Sequence, residues 1–176
     1  MEKKQILIID NSELSYAGDD INGFVLRGTE TSLILLSEEF AKKNIDVFFS
    51  TNTNKETTVN GVHYINKNNI NKDKIYDLSI AVSNANLFNK IRSIKKAIFS
   101  VSNQSIEKFF RKKQFLSTYI HKPTIVTLCE YQFKKRSFFT APFGKITIPI
   151  TVDKQFLDEK IDIDFIPPKK AIYNIR

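Results

Sequence analysis

The chain has 176 residues, 41% of them apolar with 15 Phe, and a formal net charge of +8. This length and apolar content give one domain with a core of its own, and exclude a disordered chain or a disulfide-stapled miniprotein. A lone Cys129 excludes an internal disulfide, two distant histidines lack zinc-ligand spacing, and no apolar run approaches a bilayer span.

The pI near 9.5 favours anionic partners, although a sequence rich in Lys, Asn and Ile acquires such charge from composition alone. The N-terminus leads directly into a strand without a signal-type apolar region. A cytoplasmic location, or the inner face of the membrane, is therefore expected.

The first predicted strand covers residues 6–9 and is apolar throughout, as in a parallel strand buried on both faces. The polar segment 11–28 follows, with Gly18, Gly23 and Gly28 and an Asp19-Asp20 pair; a loop of this length in a compact domain is usually functional. From Thr29 the spacing becomes helical. Leu33, Leu36 and Phe40, with Leu35, are expected to face the core, and Glu38, Glu39, Lys42 and Lys43 the solvent. Thr29 or Thr31 is expected to cap this helix, Glu30 to sit in its first turn, and Asn44 to end it.

Strands are then predicted at 47–50 and 62–65, with a loop over 51–60 and a tight turn at Asn60-Gly61. Residues 66–74 read as an Asn/Lys loop, 76–83 as a buried strand, 86–93 as a short helix and 96–102 as a strand. Helical turns are expected within 105–119 and over 130–138, and strands at 124–128 and 146–149. Alternation of this kind predicts an α/β fold, a Rossmann-like, mainly parallel sheet with helices on both faces. Past Pro167-Pro168, residues 169–176 read as the opening strand of a further domain.

Several pieces, in order, resemble the N-terminal half of family 4 glycosyltransferases, which have the GT-B fold. The run Arg27-Gly28-Thr29-Glu30, the Leu-rich helix after it and Ile45-Asp46-Val47 are similar to the family's glycine turn, helix and second strand. Asp77–Asn84, Lys95–Asn103 and Thr127–Lys134 resemble its later strands, and Ile148-Pro-Ile-Thr-Val-Asp-Lys-Gln-Phe156 resembles its Ile-Pro-Asn-Gly-Val-Asp segment. The resemblance implies an acceptor-side domain over 1–165. It makes 166–176 an interdomain linker and the first strand of a donor-binding domain beyond Arg176.

As the resemblance implies, the full enzyme would transfer a sugar from a nucleotide-sugar donor to a glycan or lipid-linked acceptor, without a metal or other cofactor. Gly28, Arg27 and Thr29 are the expected donor-phosphate contacts, since a residue without Cβ lets phosphate approach a positive helix end. Ser102, Asn103 and Asn84 follow strand ends, where open α/β sheets place ligands, and are the expected acceptor contacts. No catalytic residue is assigned: where many members keep a histidine, this chain has Ser100, Ser102 and Asn103.

His63 is expected at a surface or edge and His121 in a loop. Basic runs at Lys90–Lys96, Lys108–Lys113 and Lys134–Arg136 stand beside aromatics and suit peripheral contact with an anionic membrane. A non-enzymatic basic α/β module binding an anionic partner is the alternative reading. No RNA or DNA motif appears, so nucleic acid is not an expected partner. A dehydrogenase or epimerase would need Gly-x-Gly-x-x-Gly after the first strand, and Asn11–Tyr16 does not supply it.

Overall fold

The structure is a computed structural model that describes residues 3–22, 26–100, 114–134 and 142–148. Its centre is an eight-stranded mixed sheet, mostly parallel, with helices packed against it in a Rossmann-like manner. In chain order the elements are β1 (Gln5–Ile9), α1 (Gly28–Lys42), β2 (Asp46–Thr51), β3 (Thr57–Val59), β4 (Val62–Asn66) and β5 (Ile75–Val82). Then come β6 (Arg92–Ser100), α2 (Phe115–His121), β7 (Thr124–Thr127), α3 (Glu130–Lys134) and β8 (Lys145–Thr147). The 3-10 turns Gly18–Asn22 and Ala85–Lys90 complete the described secondary structure.

The spatial order is β3-β4-β2-β1-β5-β6-β7-β8, and every pair is parallel except β3 with β4. From β1 the chain therefore builds outward through β2 and β4, then returns past its own start to lay down β5. Right-handed crossovers require the two directions to use opposite faces of the sheet. Accordingly α1 covers the first face, with Leu33 and Ile34 against Ile6, Ile8, Val47 and Phe49. The turn 85–90 covers the second, with Ala85 and Phe88 against Leu7, Ile9 and Ala81. Burying each such Leu, Ile or Phe contributes about 1.5–3 kcal/mol.

The return from β4 to β5 uses only residues 67–74. It must step across three strand spacings, about 14 Å, and back along the seven residues that separate the level of Asn66 from Ile75, about 23 Å. Eight residues reach that far only when nearly extended, since as a helix they would span about 12 Å. The crossing therefore holds no helix. Asn side chains punctuate it instead: Asn66 Oδ1 accepts from Asn68 N–H, and Asn71 Oδ1 accepts from Asp73 and Lys74 N–H. Its end is pinned by the Lys74 ammonium, 3.8 Å from the centre of the Phe48 ring.

Several expectations need correction. The segment 51–60 holds strand β3, which forms a hairpin with β4 around the expected Asn60-Gly61 turn. Both turn residues have left-handed backbone, φ 49° and 80°, as a type I′ turn requires. Helix α1 is capped by neither Thr29 nor Thr31: both lie inside it, and Arg27 holds the cap position without a side-chain capping bond. Its buried face is Glu30, Leu33, Ile34, Ser37 and Glu38, so Glu38 points inward and Leu36 is only half-buried. Four consecutive apolar residues, 33–36, leave the rotation of the helix open by pattern. The hairpin decides it, because Asn60 Nδ2 donates to Glu38 Oε1 at 2.9 Å.

The expected helix at 86–93 is the 3-10 turn 85–90, and β6 begins already at Arg92. His121 closes α2 and does not lie in a loop; its ring Nε2 meets Asn89 Oδ1 at 2.8 Å. His63 is half-buried and stacks on Phe48, 5.2 Å between ring centres. Helical residues are described at 115–121 and 130–134, so the rest of the predicted helical stretches 105–119 and 130–138 falls on 105–114, of which only Gln114 is described, and on the undescribed 135–138. The last described strand is Lys145–Thr147 where 146–149 was expected. The linker and strand expected over 166–176 fall outside the described residues. Among the described residues no helix is long and apolar enough to cross a membrane.

Candidate functional site

The reversal of build direction between β1 and β5 makes a topological switch point. In open parallel sheets, ligands bind at the carboxyl ends of the strands beside such a point. The loops that meet at this edge follow β1 (Asp10 onward), β4 (Lys67 onward) and β5 (Ser83-Asn84). Helix α1 starts at the same edge, because it runs back antiparallel to β1 before β2 begins.

On the α1 side, residues of the β1 exit fold inward. Asp10 is 6% exposed, and its carboxylate accepts from the Tyr16 hydroxyl at 2.8 Å and from Ser12 N–H at 3.1 Å. Tyr16 is fully buried, edge-on to Phe49, and its carbonyl accepts from Thr51 Oγ1 at 2.8 Å. Burial, then the Asp10 and Glu30 carboxyls, push the Tyr16 phenol far above its ordinary range. Glu30 is 3% exposed, and its Oε2 has no hydrogen-bond partner among the described residues. This buried polar group fastens the start of the long loop 10–27 to the sheet. Gly18 belongs to the same packing: a Cβ there would stand 3.0 Å from the Tyr64 ring and from Val59.

The predicted phosphate contacts lie just outside it. Arg27 and Gly28 are exposed and Thr29 is half-buried at the first turn of α1. A Cβ built on Gly28 meets no described residue within 4 Å. The hydroxyls of Thr31 and Ser32 turn back onto the Arg27 and Gly28 carbonyls. The Arg27 side chain makes no capping hydrogen bond to the first-turn N–H groups.

Asn84 sits at the same sheet edge, after β5, but its side chain is engaged: Oδ1 accepts from Asn86 N–H and caps the turn 85–90. Ser102 and Asn103 lie outside the described residues.

On the opposite face of this edge lies a cavity of about 310 Å³. Ile9, Ile70, Leu87 and Ile91 form its apolar wall, and Lys67, Lys72 and Lys90 line it with Asn11, Asn68 and Asn86. The two faces thus differ in chemistry, an uncapped helix start on one and clustered ammonium groups on the other.

Sequence reasoning left Asp10, Tyr16, Lys67 and Lys72 unassigned, and read Lys90 only as part of a basic run suited to an anionic membrane. Asp10 had a signal, a carboxylate ending the apolar run Ile8-Ile9 at a strand exit. The cavity they form had no signal, because Lys67 and Lys72 in the crossing 67–74 and Lys90 in the turn 85–90 meet only in the folded chain. Among the described residues no group of three or more His, Cys, Asp or Glu could hold a metal ion. Comparison with protein-family models, curated proteins and solved structures finds no match to this chain.

Proposed function

We propose that the chain is the acceptor-side half of a GT-B-type glycosyltransferase. In this reading it holds a glycan or lipid-linked acceptor at the carboxyl edge of the sheet. The start of α1 meets the diphosphate of a nucleotide sugar whose remainder is held by a second Rossmann-like domain. One observation carries the proposal: the exposed turn at Arg27-Gly28, where the Arg27 side chain does not cap the helix and Gly28 has no Cβ, opens a 15-residue helix beside the switch point. Such a helix end offers N–H donors and a positive dipole to phosphate, and Arg27 adds a planar, charged donor set.

The chemistry required of these residues is modest. They would neutralise and orient the departing nucleoside diphosphate, which is charge stabilisation at the bond that breaks. Glycosyl transfer by this chain alone is not expected, because the proposal places the donor pocket in the second domain.

The test is an amide-resolved NMR titration with a nucleoside diphosphate. Shifts confined to Arg27–Glu30 and lost in Gly28→Val, at unchanged thermal stability, are the expected result. Absence of shifts at this turn with millimolar nucleotide would overturn the proposal.

A further inference from the structure

The cavity on the second face has features that a merely solvated surface lacks. Its three lysines arrive from two segments: Lys67 and Lys72 from the crossing 67–74, and Lys90 from the end of the turn 85–90. Among the described residues no Asp or Glu lines it. The three described ion pairs involve Lys3, Lys42 and Lys134, so none of the cavity lysines has a carboxylate partner among the described residues. The nearby carboxylate of Glu56 is taken up by Asn66 N–H and Asn69 Nδ2.

Like charges gathered in one concavity repel each other, and an anion in their midst relieves that repulsion. The wall behind them is apolar. Ile9 and Ile91 are buried to 2% and 8% exposure, and Ile70 and Leu87 are half-buried. The volume lies at the lower end of the range for small-molecule sites, about 300–1,000 Å³. A bare inorganic anion would fill only part of it.

We propose that this cavity binds a small organic anion. A ring or short-chain body packs on Ile9, Leu87 and Ile91, and a phosphate or carboxylate group sits among Lys67, Lys72 and Lys90. Asn11 and Asn68, at the mouth, supply amide groups to the polar end of the ligand. The site lies on the face opposite α1 and stands independently of the glycosyl-transfer proposal.

Calorimetric titration with phenyl phosphate, benzoate, inorganic phosphate and benzyl alcohol tests it. Saturable one-to-one binding of at least one aromatic anion is expected, with inorganic phosphate weaker and benzyl alcohol undetectable. The ratio of phenyl phosphate to benzoate affinity tells which anionic group the lysines prefer. Lys67→Gln and Lys90→Gln should each weaken binding about tenfold, and Lys67→Arg should largely retain it. Rising salt should weaken binding as well.

Amide shifts on binding should fall on 67–72 and 86–91 and leave Gly28 unmoved, which separates this site from the nucleotide test above. Failure of both aromatic anions to bind overturns the proposal. So does equal binding of benzyl alcohol, or affinity indifferent to both glutamine variants.

Discussion

At the scale of single residues, the exit of β1 concentrates the informative side chains. Asp10 is buried at a strand end, where an unmatched carboxylate is costly, and Tyr16 supplies its hydroxyl donor. Tyr16→Phe removes the donor and strands the acceptor, so denaturant unfolding should show a loss of about 1–3 kcal/mol. Gly18 and Gly28 make a contrasting pair within the same loop and helix start. Gly18→Ala drives a methyl into Tyr64 and Val59 and should cost about 1–3 kcal/mol by the same measurement. Gly28→Ala meets no described residue and should leave stability unchanged or slightly raised. A glycine kept free of packing at an exposed helix start suits a role outside folding, which is why the proposal of phosphate contact rests on this position.

At the scale of elements, the crossing 67–74 is the most constrained connection. A βαβ unit normally carries its helix between parallel strands, and here the span is too great for the residues available. The segment becomes a strap laid over the second face, with Ile70 in the apolar cluster and Lys74 on the Phe48 ring. Deleting two residues from it should prevent β5 from reaching its place beside β1, abolishing cooperative unfolding in circular dichroism. Adding two glycines should be tolerated, since loop closure depends only weakly on length. The Asn-rich composition of this stretch reads as loop, but its lysines acquire meaning only once the strap lies against the turn 85–90.

For the whole molecule, stability should depend on alkaline pH through its buried phenols. Burial raises Tyr16, Tyr64 and Tyr76 above the ordinary tyrosine range, so the folded state keeps protons that the unfolded chain releases near pH 10. Their contribution is fully present below about pH 10 and is lost as pH rises beyond it. Urea midpoints should therefore fall above that pH, with tyrosinate absorbance from the buried rings rising together with unfolding. His121 acts at the other end of the scale. Burial and the neighbouring Lys96 hold it below the usual imidazole range, so its neutral form favours the fold above about pH 6.5 and that contribution fades on acidification.

The parallel α/β class is legible in the chain itself, because strands buried on both faces demand unbroken apolar runs such as Ile6–Ile9 and Ile80–Val82. The Asn60-Gly61 hairpin turn is equally legible, since its left-handed backbone selects those residue types. Tertiary structure alone decided which side of α1 is buried, that Glu30 and Glu38 face inward, and that Lys67, Lys72 and Lys90 share one cavity. Periodicity and turn chemistry act between neighbours in sequence. Rotation of a helix whose middle turn, 33–36, is apolar all round, and convergence of charges from separate segments, are set by contacts that exist only after the sheet has closed around β1.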